Sequence, residues 1–570
     1  MQENVAPTAG GPSPSLLRVV FGSILAVACL FPPETRGESA LGCAALLTLA
    51  ALVLARRRGV RAADAWLILA CVLAVPALLT AVSPGAAVEP LAVFLLALAA
   101  GSLAASCAPR IRAGEALGWV LVLVGTALSL LALYQALFGL DATAAAIEKS
   151  GAVLDGDLLL RRLRQGRPFG SFATPAALGG FLAMALPVGV GLAISRRGAA
   201  RKGAAAFVVL ACLALAASAS ATAAAALLAA VGLFAVARGR LGFRALLAFG
   251  LGSLVLGAVI VSLRGTRVVD PMDPEGPWRL RAGNLRVAAE MFRDHPATGV
   301  GPGGFAENFP AYRRSGDNET RHAHNLPLEL LAETGLVSGA LLSVLFFVLF
   351  AGPALRRRAT RPPWVEGVGV GLAAFALHNL ADFTAFLPSL LWTAAILRGA
   401  LAEGDAACPS FPARALAWTR AGVVVLAGTA LALGGIARDR RLEARSAALA
   451  GSHEQAAELA REASALAPWS VDGRLLYSRL LLDETAEREG ADSRLALAVR
   501  EVERAVWLSP VRPSARALRA RARLRSGDTP GAYADLCEAA RLYPIHGSYA
   551  QERDALALRL PDPRRAPAAP

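Results

Sequence analysis

Arg167, Arg281 and His324 are the side chains of this sequence best placed, by type and spacing, to do charge and proton chemistry. Arg281 lies three residues after Trp278 and four before Leu285, in a stripe that Trp278, Leu285 and Phe292 repeat every seventh residue. An arginine on a buried helix face needs a partner. That partner is either a carboxylate of the chain or an anion such as pyrophosphate, whose oxygens suit the planar guanidinium fork. His324 precedes Asn325, a good N-cap, with Pro327 in the first turn that follows. A helix N-terminus attracts anions and holds an imidazole neutral, ready to accept a proton. Arg167 lies just before Thr174-Pro175, which reads as the cap and start of another helix. Two arginines and a histidine can thus converge at the outer membrane boundary, where they would suit a bound anion.

Other groups are weighed beside these. Arg279, Arg286 and Arg293 share a seven-residue spacing on a different face of the Arg281 helix and read as solvated or headgroup contacts. His322 and His324 form a His-x-His pair, which can bind metal, but no third ligand accompanies it and no metal or cofactor is expected. Gly299-Val300-Gly301-Pro302-Gly303-Gly304 lacks the Lys and Ser/Thr of a phosphate-binding loop and reads as a turn. His378 and Asp382 stand four apart on one face of an apolar segment. They are either a buried pair that locks packing or functional groups, as ionisable residues inside membrane helices tend to be. The seven cysteines show no CxxC or Cys/His spacing; most lie in or at the edge of apolar helices and read as small hydrophobes.

The elements that must position these groups are membrane helices. The chain is 55% hydrophobic with a mean hydropathy of +0.50, and long apolar runs alternate with short arginine clusters. Runs near 16–32, 40–55, 65–82, 88–106, 116–138, 175–195, 204–219, 221–237, 245–263, 336–355, 366–384, 386–402 and 419–437 are each candidates to cross a bilayer core of roughly 30 Å. The fold class expected is all-α: a polytopic membrane protein of about 12–13 spans with a helical tail. The pair 204–219 and 221–237 reads as two short helices or one long one. The first run is too long for a cleaved signal peptide.

Basic clusters follow every second span: Arg56–Arg58 and Arg61, Arg110 and Arg112, Arg196 to Lys202, Arg238 to Arg244, and Arg356 to Arg361. By the positive-inside rule these loops and residues 1–15 are cytoplasmic, and residues beyond 438 are outside. Two outer loops, about 139–174 and 264–335, are long and arginine-rich, with Arg161, Arg162, Arg164 and Arg167 closing the first. The net charge of +15 is therefore read against a membrane and anionic substrate, with no nucleic-acid partner.

Three motifs in order resemble the O-antigen ligase and Wzy-polymerase superfamily. They are Arg167-x-x-Gly170-Ser171-Phe172; Arg281 followed by Met291-Phe292-Arg293-Asp294-His295-Pro296-x-x-Gly299-x-Gly301-Pro302-x-x-Phe305; and His324-Asn325-x-x-Leu328-x-x-Leu331-x-Glu333-x-Gly335. The resemblance covers roughly 15–402. It implies a metal-independent glycosyltransferase of the bacterial inner membrane, acting at its periplasmic face. The implied donor is an undecaprenyl-pyrophosphate-linked glycan, and the acceptor is a glycan, lipid A-core or protein hydroxyl. It assigns catalytic roles to Arg167, Arg281 and His324, and substrate contacts to His322, Asn325 and Glu333. Many members carry Ser-Arg-Gly between the seventh and eighth spans, where this chain has Ser218-Ala219-Ser220. Arg164 or Arg286 would then supply the missing cation. The His378-Asn379-x-x-Asp382-Phe383 run resembles a stretch in members that carry a helical-repeat tail.

Ala463-x-x-Leu466-x-Pro468, Ala505-x-x-Leu508-x-Pro510 and Ala539-x-x-Leu542-x-Pro544 recur at intervals of 42 and 34 residues. Thirty-four is the tetratricopeptide period. The expected divisions are 1–15, a membrane domain at 16–402, a linker and last span at 403–437, repeats at 438–556 and a disordered Pro/Ala/Arg end at 557–570. Repeat arrays usually bind a protein partner. A lipid-linked glycan transporter and a non-catalytic envelope scaffold are the competing functional readings; the transporter lacks repeated halves in this sequence.

Overall fold

The computed structural model describes residues 14–34, 37–55, 79–106, 115–150, 160, 163–239, 277–356, 361–401, 413–485 and 492–559. The membrane part contains α1 (Pro14–Leu30), α2 (Gly37–Ala55), α3 (Pro84–Ser106), α4 (Ala116–Tyr134), α5 (Leu140–Ser150), α6 (Pro175–Ser195), α7 (Gly198–Ser218) and α8 (Ala221–Ala237). It continues with α9 (Pro277–Asp294), α10 (Gly304–Tyr312), α11 (Leu326–Phe350), α12 (Gly352–Leu355), α13 (Pro363–His378), α14 (Pro388–Ala400) and α15 (Ala413–Leu449). The tail adds α16 (His453–Leu466), α17 (Val471–Thr485), α18 (Asp492–Leu508), α19 (Pro513–Arg525), α20 (Thr529–Leu542) and α21 (Gly547–Ala557). Among the described residues the regular structure is helical throughout. Among the described residues six helices are long and apolar enough to cross a membrane, and the chain is a polytopic all-α membrane protein. The spans expected at 65–82 and 245–263 lie outside the described residues, apart from the last few of the first.

Small residues set how closely these helices pack. A Cβ on Gly371 would stand 2.1 Å from the Met184 carbonyl oxygen, and one on Gly367 would stand 2.2 Å from that of Pro187. The backbones of α6 and α13 therefore touch, as small residues permit in membranes. Helix α6 is central and largely buried, whereas α7 is peripheral, and its exposed Val209 and Leu213 suit contact with lipid. Residues 204–237 form two helices, broken where Ala219 turns left-handed (φ 48°).

Three expectations are corrected. The first long loop was placed from 139, yet the helix runs on to Ser150 through a π-helical segment, Gln135–Gly139. Its extra residue turns Gln135 toward the 167–172 segment: Oε1 accepts from Phe169 N (3.1 Å) and Gly170 N (2.8 Å), while Nε2 donates to Gly170 O (2.9 Å). The span expected from 336 belongs to a longer helix that begins at Leu326 and kinks at Gly335 (φ 75°, ψ −179°). The span expected to 384 stops at His378. Asn379 ends it, because Nδ2 donates back to Phe375 O (2.8 Å) while Oδ1 accepts from Ala385 N (2.7 Å) and Thr384 Oγ1 (3.2 Å). Such side-chain bonds compete with helix continuation.

Helix α15 passes through residues 437 and 438 unbroken, so the last apolar stretch feeds directly into the tail helices. Ala463, Ala505 and Ala539, the recurring alanines, are each fully buried.

Candidate functional site

Helix α9 buries Asn284, Val287, Ala288 and Met291, while Leu285 and Phe292 sit at the edge of that stripe. The buried face is thus rotated from the one the seven-residue spacing indicated, because α10 and α11 pack beside the helix and supply Phe305, Phe309 and Ala332. Arg281 lies one turn before Asn284 on this inward stripe, half-buried, and Arg279 is exposed. Arg286 is not a simple solvated contact. It pairs with Glu290 (2.7 Å) and Asp317 (2.6 Å), which occupy its guanidinium.

The turn into α11 is held by its own first-turn carboxylate. Glu329, 1% exposed, accepts from Ala323 N (2.7 Å) and meets His322 Nδ1 (2.7 Å). Asn325 caps the helix, accepting from Leu328 N (2.9 Å), and donates to Leu380 O (2.8 Å). Both of its amide groups are therefore used within the fold. His324 takes the left-handed conformation (φ 58°), which is unfavourable for a residue with a Cβ. Such strain is held in place by the Glu329 and Asn325 contacts on either side. The imidazole edge of His324 meets the Phe383 ring at 4.8 Å, and its buried Nδ1 has no hydrogen-bond partner. Burial holds its pKa down at about 4. Asp382 opposes that shift, and Arg281 and His322 add to it. His322 stacks on Phe383 and Phe386, both at 4.8 Å.

The turn after α13 completes the cluster. Asp382, 1% exposed, accepts from Phe383 N (2.9 Å) through Oδ1. Its Oδ2 stands 3.8 Å from Arg281 Nη2 and 3.7 Å from His378 Nε2. His378 is fully buried between Thr222 Oγ1 (3.2 Å from Nε2) and Thr384 Oγ1 (3.3 Å from Nδ1). Thr222 is the second residue of α8, just past the Ser218-Ala219-Ser220 turn, and Arg167 Nε donates to Ser218 O at 3.0 Å. Arg167 comes from a segment shaped by Gln135, by Gly170 (φ 62°) and by the Thr174 cap on Ala177 N (3.2 Å).

The structure therefore brings Arg167, Arg281, His324, His378 and Asp382 around the 218–222 turn and the 378–386 turn. Three other assigned residues do not join them through any of these contacts, Arg286 being taken up by Glu290 and Asp317. Arg164 pairs with Glu148 on the exposed surface. Glu333 is buried under the glycine turn, where Oε1 accepts from Phe305 N (3.1 Å). Arg161 and Arg162 lie outside the described residues. Sequence reasoning passed over Gln135 and Glu329 and gave no role to Thr222 and Phe383. Glu329 carried a signal, since an acidic residue four after an N-cap sits in the first turn, where the helix dipole favours it.

The cluster sets the half-buried Arg281 guanidinium beside the buried Asp382 carboxylate, with the His324 imidazole against Phe383, and Arg167 reaches it through the Ser218 carbonyl. No curated protein matches the chain. A family model described as O-Antigen ligase matches residues 205–343, a segment that contains the 218–222 turn, Arg281 and His324.

Proposed function

We propose that the chain is a cell-envelope glycan ligase or polymerase that moves a glycan from an undecaprenyl-pyrophosphate carrier to an acceptor hydroxyl at the periplasmic face of the inner membrane. The observation that carries this reading is the meeting of Arg281 and His324 around Asp382 and Phe383, inside and beside the segment that matches the O-antigen ligase model. The acceptor oxygen attacks the anomeric carbon as the bond from that carbon to the pyrophosphate oxygen breaks. The bonding electrons leave with the pyrophosphate, and Arg281 and Arg167 balance its growing charge, the largest effect available to a preorganised site. The acceptor proton passes to His324, which burial keeps unprotonated near neutral pH. The function is independent of metal in this reading, and the tail helices form a tetratricopeptide-like array.

The decisive test is transfer of a purified lipid-linked glycan by the protein in liposomes, with and without EDTA. Transfer in both supports the reading; a requirement for added divalent metal would replace the arginine-based account. A strain lacking the chain separates the acceptor classes. Loss of long-chain glycan indicates a polymerase, whereas long chains left on the lipid carrier indicate a ligase. A periplasm-active reporter fused after residue 440 should be active and one at residue 200 inactive; the reverse would place the cluster on the cytoplasmic side.

A further inference from the structure

We propose that the tail helices are a brace for the catalytic loop, and that Arg512 and Glu307 are positioning residues of the glycan-transfer site; the proposal rests on the function given above. Repeat arrays are usually read as platforms for other proteins, but one face of this array is already occupied by the chain itself. Ser509, fully buried at the end of α18, donates to Glu307 Oε2 on α10 at 2.7 Å and lies 3.1 Å from the Ser83 hydroxyl before α3. Arg512 reaches Glu307 Oε1 at 3.2 Å with one arm and Asp472 of α17 with the other. A second contact forms nearby. Tyr543 pairs with Arg313 and donates to Glu319 Oε1 at 2.7 Å.

Both contacts lead inward to the site. Arg313 Nη2 donates to Asp317 O (2.8 Å), and Asp317 Oδ2 accepts from Arg286 (2.6 Å), five residues along α9 from Arg281. Helix α10, which carries Glu307, sends Phe305 and Phe309 into the small core shared with Val287, Met291, Ala323 and Ala332. That core fixes α9 on one side and the His322–His324 turn on the other. Short helices such as α10 have little stability of their own and depend on packing. Half-buried charged contacts from the tail on two sides of α10 therefore hold the loop against the membrane helices. Small displacements of a catalytic group cost large factors in rate, so the brace bears on turnover.

The test uses the full chain in lipid nanodiscs as Arg512→Glu, Glu307→Arg and the double exchange. Hydrogen exchange is read over residues 281–324, and transfer is read separately. Each single reversal should speed exchange across 281–324 and lower kcat by roughly tenfold or more, with exchange in α16 unchanged as a check on folding. The double exchange restores the 307–512 pair but not the contact to Asp472, so it should recover both in part, above either single variant. Unchanged exchange in 281–324 in the single variants would overturn the brace. Faster exchange with full turnover would overturn the positioning role. Tyr543→Phe, which keeps the ring and removes the hydroxyl, should give a smaller shift in the same direction. Exchange is measured without substrate, so it decides the brace even if the native chain transfers no glycan, a result that would count against the proposed function alone.

Discussion

Arg281 faces Asp382 across 3.8 Å, too far for a hydrogen bond and close enough for strong attraction in a partly buried site. The pair is loose: the carboxylate balances the guanidinium in the resting protein while leaving its N–H groups available to a second anion. Replacing Arg281 by Lys keeps the charge and loses the fork. We expect Arg281→Lys to lower transfer by about 10²–10³-fold, the loss typical of removing one preorganised donor. Arg279→Ala, on the exposed side of the same helix, should change it little. Initial rates with a purified lipid-linked glycan decide the matter; equal losses at both positions would mean that α9 serves only as a scaffold.

Glu329 offers a different kind of test, since it touches no substrate in the mechanism. One oxygen holds the His322 ring and the other holds the Ala323 amide, so the carboxylate fixes the strained backbone of His324 next door. Glu329→Gln retains only one acceptor oxygen. It should destabilise the protein by about 1–3 kcal/mol, the penalty for a buried group left unpaired, and lower kcat more than it raises KM. Thermal unfolding in detergent and steady-state kinetics give the two numbers. A variant with native stability and rates would show that His324 holds its conformation without this support.

Much of this architecture was legible in the sequence, because apolar run length and helix caps act over a few residues. Thr174 and Asn325 cap as their types indicate. What was not legible depends on long-range packing. The inward face of α9 is chosen by Phe305 and Phe309 from a later helix, which a seven-residue spacing does not reveal. Helix α13 ends early because Asn379 bonds to residues on both sides of it, so Asp382 stands on a turn and reaches Arg281. The Gln135 grip on Gly170 spans 35 residues and depends on a π-helical turn, which has no sequence signature.

Gly335 tests the hinge between the site and its membrane helix. Its φ of 75° is costly for other residues, and an added Cβ would stand 2.2 Å from the Ala297 carbonyl oxygen. The same close approach brings Gly301 N to Glu333 O (2.9 Å) and Leu336 N to Pro296 O (2.9 Å). Gly335→Ala should therefore cost roughly 1–3 kcal/mol in backbone strain alone, and more from the clash. Reduced folded yield in membranes is the readout. Normal yield with normal transfer would mean that the kink is not required to seat the glycine turn.

The pH dependence of transfer tests the proposed role of His324 as the base. Burial lowers its pKa to about 4, with Arg281 and His322 pushing the same way and Asp382 opposing. In the unfolded chain an imidazole titrates near 6.5. The folded protein thus prefers the neutral ring, and His324 costs stability as pH falls from about 6.5 through about 4. For catalysis the sign is favourable: the base stays unprotonated through neutral and mildly acidic conditions. The profile of kcat/KM, which reports the free enzyme, should keep its acid limb near pH 4 as far as His324 is concerned. A bound pyrophosphate adds negative charge beside the ring and stabilises imidazolium, so the acid limb of kcat should lie at higher pH than that of kcat/KM. His324→Ala should lower kcat by roughly 10²–10⁴-fold and abolish the limb it controls. An acid limb that survives this substitution unmoved would assign the proton to another group, and the imidazole would then be a contact for the leaving pyrophosphate instead of the base.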